Sequence, residues 1–329
     1  MFVLNPKHAR AHINGDIHIH DMDFLTLTTT CCQIDLIKLF AGGFSTGHGV
    51  LREPNSISIY AALACIAIQS NQNDQHGGQA IPNFDYSMAP GVAKSYLKHF
   101  YHNLAKAITL LVKLDGEDIA TKVKGEMRLK PTLDKNEAFE EQLKETLKAN
   151  KVDKFVDEIV EFAITSAYEE TDRETYQAME AFIHNLNTMH SRAGAQVPFS
   201  SINYGMDTSS EGRMVMRNIL LATEAGLGHG ETPIFPIQIF RVKEGINYNE
   251  GEPNYDLFKL ACRTSAKRLF PNFSFVDAPF NKQYYKGTPE TEIAYMGCRT
   301  RVMGNVYAPD KEISFGRGNL SFTSINLPR

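Results

Sequence analysis

Between residues 196 and 276 the chain alternates stretches that favour strand with stretches that favour helix. An apolar run at 196–204 is followed by a helical pattern at 207–225, opened by Ser209 or Ser210. A second run at 234–242, a helix at 255–269 and a short strand at 273–276 complete the series. This pattern restricts the chain to an α/β barrel or a layered α/β fold. A barrel uses a length of 329 residues as one unit, so a single domain over 1–329 is expected.

Ahead of this region, an apolar-rich helix is expected from Pro54-Asn55-Ser56 to about residue 72. Helices are also expected over 90–114 and roughly 134–190. The second of these is rich in Glu and Lys, with Phe155, Ile159, Phe162 and Ala163 at three- and four-residue spacing, as in a scaffold or a subunit interface. Residues 116–131 read as a charged connection within the domain. The last segment, from Gly318, alternates again and places Asn319, Ser321 and Thr323 on one face, with Leu320 and Phe322 on the other. The chain stops directly after it, at Asn326-Leu327-Pro328-Arg329, as a fragment cut from a longer protein would.

A net charge of −4 with 22% charged residues gives no footprint for nucleic acid or a membrane surface. No apolar run approaches the length of a membrane span, and the N-terminus has no signal pattern, so a cytoplasmic location is expected. Five cysteines (Cys31, Cys32, Cys65, Cys262 and Cys298) are an odd number without metal-ligand spacing. They argue for reduced thiols, one or two of them reactive, over a disulfide framework or a zinc site in this span.

Cys298 sits between Gly297 and Arg299. The arginine favours a thiolate and the glycine permits backbone that a side chain would forbid, although a packed apolar cysteine is the other reading. Strand parity separates the adjacent Cys31 and Cys32: Cys32 falls on the side of Ile34 and Leu36, and Cys31 on that of Thr29, Gln33 and Asp35. Cys32 is the expected core residue, and Cys31 the one free to face a polar site. His18 and His20 share a face, but His20-Asp21 suits a hydrogen-bonded imidazole better than a metal ligand. The amides after Asn55 and Ser56 could bind an anion or be capped in place. The glycine-rich 42–49 lacks the lysine of a phosphate loop, and Gln75-His76-Gly77-Gly78-Gln79 is a polar loop suited to a pocket wall.

The ordered strings HINGDIHIHDMDF, TTTCCQIDL, GGFSTGHG, QNDQHGGQAIPNFD, MAPGV, SRAGAQVPFSSINYG, IFPIQIF, MGCRTRV and GRGNLSFTSINLPR closely resemble the catalytic subunit of the anaerobic (class III) ribonucleoside triphosphate reductases. The resemblance spans almost the whole chain. It implies a ten-stranded α/β barrel made of two antiparallel five-stranded halves, with a loop carrying the radical cysteine through its centre. Cys298 matches that cysteine, Cys31 the second active-site cysteine and Asn319 the active-site asparagine; His20, Asn55 and Ser56 are further substrate-binding candidates.

The mechanism implied is reduction of ribonucleoside triphosphates to 2′-deoxyribonucleoside triphosphates. A glycyl radical oxidises Cys298 to a thiyl, which takes the 3′ hydrogen, and Cys31 supplies hydrogen as the 2′ hydroxyl leaves as water. Formate is the implied reductant and a SAM-dependent iron-sulfur activase the implied source of the radical. ATP and deoxynucleotide effectors and a homodimer are implied as well. The family's N-terminal ATP-binding domain, its zinc site and its radical glycine have no counterpart in 1–329, so the fragment alone should not turn over. The alternatives are an inert nucleotide-binding and dimerising module, or a glycyl radical enzyme acting on another substrate, such as a pyruvate formate-lyase type, which typically places two adjacent cysteines on the central loop.

Overall fold

The computed structural model describes residues 4–25, 28–297, 300–302, 308 and 315–329. Helix α1 (Pro6–Asn14) leads to β1 (Ile17–Ile19) and, through a 3-10 turn, to β2 (Cys31–Gln33). Helix α2 (Leu36–Phe40), the short strands β3 (Phe44–Ser45) and β4 (Val50–Leu51), and α3 (Ile57–Asn71) precede β5 (Gly78–Ile81). Helices α4 (Phe84–Leu111), α5 (Gly116–Glu126), α6 (Glu137–Ala149) and α7 (Val156–Thr188) separate β5 from β6 (Ser200–Tyr204). Then follow α8 (Ser210–Ala225), β7 (Ile237–Val242), α9 (Tyr255–Arg268), β8 (Asn272–Phe275) and α10 (Pro279–Lys282). Last come β9 (Ala294–Met296), β10 (Thr300–Val302), β11 (Gly318–Asn319) and β12 (Thr323–Ile325).

Strands β2, β5, β6, β7 and β8 lie side by side in that order and all run parallel; β11 is added antiparallel to β2. The alternation within the strands separates two chemically different faces. Ile202, Tyr204, Phe240 and Val242 point into one apolar core with Phe84, Met88, Phe182, Ile219 and Leu257 of the crossing helices. Burying each of these large side chains contributes roughly 1.5–3 kcal/mol, so this face fixes the sheet against the helices. The opposite face is mixed. By the ladder register it carries Cys31, Gly78, Ala80, Ser201, Asn203, Ile237, Ile239, Arg241 and Ser274, and the β9–β10 hairpin packs over it. A second apolar cluster, around Phe100, Phe139, Leu143 and Ile159, joins the outer parts of α4 and α7 to α5 and α6.

The expected ten-stranded barrel requires correction. Five parallel strands, the number of one half, are present, and β11 gives the reversal of direction expected between two halves. Among the described residues no strand continues from β11 or from β8, so the sheet is open. Residues 116–126 are helical rather than a connection, because Asp115 caps the first turn and Ile119, Ala120 and Val123 are buried at helical spacing. The helix expected from residue 90 begins at Phe84, with Pro90 inside it, and the one expected over 134–190 is broken into α6 and α7. The last strand also breaks: β11 pairs with β2 and β12 with β1, so parity does not carry across residues 320–322.

Candidate active site

Asn319, Cys31 and Gly78 are partners in one row across β11, β2 and β5. Cys31 and Gly78 stand at the first residues of their strands, where the mixed face opens into a cavity of about 490 Å3. Gly77 permits this approach: a Cβ there would lie 1.4 Å from the Thr30 carbonyl oxygen and 3.4 Å from Cys31 Sγ. The Phe199 ring lies against Gly78 and reaches Gly297, whose φ of 59° is left-handed. Gly297 and Thr300, which bracket Cys298 and Arg299, both line the cavity with Cys31 and Asn319. Cys298 itself lies outside the described residues, and so does its approach to Cys31.

Polar contacts dock the hairpin on the sheet. Buried Asn203 donates to the Tyr295 carbonyl (3.0 Å) and accepts from the Tyr295 amide (2.9 Å), acting as a strand partner would and so fixing the register of β9. Ser274 and the Tyr295 hydroxyl are 3.0 Å apart. Just before β9, Glu292 lies 2.7 Å from the guanidinium of Arg241, and both are buried. Tyr86 donates its hydroxyl hydrogen to Glu292 (3.0 Å). Asp85, 3.6 Å from Arg241, accepts from the amides of Gly205, Met206 and Asp207. Burial pushes the Glu292 carboxyl up to about 7, with Arg241 pulling the other way. Among the described residues, Met296 and Val302 add apolar contact on Ala80, with Cys31 beside them.

The other candidates separate clearly. His20 lines the cavity and its Nε2 is 3.1 Å from Asp21. Asn55 and Ser56 do not line it: Ser56 caps α3 by accepting from the Ile59 amide, and Asn55 is exposed. Cys32 faces α3, as parity requires, but it is half-buried and takes a hydrogen bond from Asn71 (3.1 Å) instead of joining the apolar core. Burial pushes the Cys32 thiol up to about 11, against the pull of that bond. Among the described residues, no three His, Cys, Asp or Glu side chains are grouped to hold a metal ion.

Sequence reasoning missed several cavity residues. Phe322 lines the cavity together with Asn319, although unbroken parity would put them on opposite faces. Met296 was visible only as a neighbour of Cys298. Arg192 also contributes to the wall, but its guanidinium is committed to the carbonyls of Gln72, Gln75 and His76, closing the end of α3.

The chain is 28% identical over 323 residues to the anaerobic ribonucleoside-triphosphate reductase of Enterobacteria phage T4, covering 97% of this chain and 44% of that protein. It is 29% identical over 324 residues to the Salmonella typhimurium protein of the same name, covering 98% and 37%. The chain thus spans about two fifths of the length of these relatives. Among solved structures, an anaerobic ribonucleotide reductase from Thermotoga maritima with citrate in the active site matches 86% of this chain and 42% of that one, at 14% identity and a TM-score of 0.47. The family model for anaerobic ribonucleoside-triphosphate reductase matches residues 1–329, and the chain belongs to that family.

Proposed function

We propose that this chain carries the site at which ribonucleoside triphosphates are reduced to 2′-deoxyribonucleoside triphosphates by thiyl radical chemistry. One observation carries the reading: Cys31 and Asn319, paired across adjacent strands, share a single cavity with the residues on both sides of Cys298. In this reading Cys298 takes the 3′ hydrogen, Cys31 gives hydrogen to the sugar, and Asn319 holds the ribose hydroxyls between them. A glycyl radical, on the part of the protein beyond residues 1–329, supplies the oxidising equivalent when it is present. The rest of the reading is a radical-SAM activase that installs it, formate as reductant, ATP and deoxynucleotide effectors, a homodimer and a cytoplasmic location; among the described residues no helix is long and apolar enough to cross a membrane.

The chain's own residues supply placement: the Asn203–Tyr295 pairing fixes the register of β9, the strand that leads to Cys298. The test is protection of a thiol. A ribonucleoside triphosphate should slow alkylation of Cys31 saturably, leaving that of the exposed Cys262 unchanged. Equal alkylation of Cys31 with and without nucleotide would overturn the assignment of the cavity.

A further inference from the structure

Asp21 holds two imidazoles at once. Its Oδ2 is 3.1 Å from His20 Nε2 and its Oδ1 is 3.3 Å from His76 Nε2. All three residues line the cavity that contains Cys31 and Asn319. We propose that His20 and His76 are an acid–base pair that moves protons between the ribose hydroxyls during reduction, with Asp21 as the residue that positions both. The proposal rests on the nucleotide-reducing reading of the same cavity.

The local backbone is arranged for this contact. Asp21 is left-handed (φ 49°, ψ 44°), a conformation that a short polar side chain tolerates better than most and that is kept where surroundings impose it. The His20 ring meets the Phe322 ring edge-on with centroids 6.2 Å apart, and the His76 ring stacks on Phe24 at 3.9 Å, so both imidazoles are held. A carboxylate oxygen only accepts, which favours hydrogen on Nε2 of each ring and leaves each Nδ1 to exchange a proton. Among the described residues, the other ionisable groups of the cavity wall are His18, Cys31 and Arg192, none is a lysine, and Arg192 is occupied by carbonyls.

The chemistry needs one base and one acid in the same step. Once the 3′ hydrogen atom is gone, the O3′ proton passes to a neutral imidazole. The C2′–O2′ bond breaks with its electron pair going to oxygen, which takes a proton from the other, protonated imidazole and leaves as water. The carbon framework becomes a 3′ ketone with the unpaired electron on C2′. One ring gains a proton and the other loses one, so the charge of the array is unchanged and no further oxidant or reductant enters.

The experiment uses the complete activated protein, with His20→Gln, His76→Gln and Asp21→Asn. Each histidine variant should lower kcat by about 100-fold or more, with KM within about threefold, as expected for loss of a general acid or base. Loss of label from the 3′ position should continue, because hydrogen abstraction precedes the proton transfers. Asp21→Asn should displace a limb of the pH–rate profile, which a purely structural role would not do. Near-normal kcat with an unchanged pH profile in both histidine variants would overturn the proposal, as would a rise in KM that accounts for the whole loss. A wild-type protein that binds nucleotide but reduces none would overturn the parent reading, and this one with it.

Discussion

Arg241→Met tests how the hairpin is held. The guanidinium is fully buried, 2.7 Å from Glu292 and 3.6 Å from Asp85. Methionine fills much of the same volume without charge, leaving two buried carboxyl groups with no cation between them. Removing one partner of a buried pair costs about 3–5 kcal/mol, because the remaining charge keeps its desolvation penalty. The cost should depend on pH. Glu292 titrates near 7 with Arg241 in place, and without the arginine its carboxyl is pushed higher still. At pH 8 the variant must therefore hold an uncompensated charge or take up a proton, whereas at pH 5 Glu292 is already protonated and the loss is smaller. Urea unfolding of both proteins at the two pH values measures the difference, with an unchanged slope as the check on two-state behaviour. Adding Glu292→Met should recover part of the loss at pH 8, a coupling expected only of residues in contact. A cost below about 1 kcal/mol at pH 8, or one equal at both pH values, would refute this account of the docking.

Three further outcomes follow from the same geometry. Gly77→Ala should destabilise by about 3 kcal/mol or more in urea unfolding, since the new methyl overlaps the Thr30 carbonyl oxygen and strand backbone has to move. Cys32→Ala should cost on the order of 1 kcal/mol and leave nucleotide reduction by the complete protein intact, whereas Cys31→Ala should abolish it; the reverse pattern would place the site cysteine one residue along the strand. Stability of the wild-type chain should lose a contribution as pH rises from about 4.5 to 7. Glu292 is pushed up to about 7 by burial, and Asp207 to about 6 by burial and then by Asp85, so the folded state keeps protons that the unfolded chain has released. Glu292→Gln should flatten the upper part of that slope.

What the sequence made legible was periodic. The alternation over 196–276 was readable because Ile202, Tyr204, Phe240 and Val242 repeat every second residue and the helices between them keep their own period, and the ends of β6 to β8 lie within four residues of expectation. Cys31 was separable from Cys32 by that same alternation. Pairings distant along the chain left no local mark. Asn203 meets Tyr295 across 92 residues, and nothing near either one announces it. His76 was read as part of a polar loop and Asp21 as a partner of His20 alone, because their meeting depends on where β2 and β5 start. Helix α5 was missed because its exposed charges outnumber its few buried positions, and the face of Phe322 because one long strand was assumed where two short ones pair with different partners.

The central claim is that Cys31 and Cys298 serve one ribose in this cavity in distinct roles. The direct measurement is anaerobic incubation of the activated complete protein with a labelled ribonucleoside triphosphate, comparing wild type, Cys298→Ser and Cys31→Ser for deoxynucleotide and for released base. The wild type should form deoxynucleotide. Cys298→Ser should form neither product, because an O–H bond is too strong for hydrogen to be taken from it. Cys31→Ser should form no deoxynucleotide but should release base from damaged nucleotide. Deoxynucleotide formation by either variant at the wild-type rate would contradict the account.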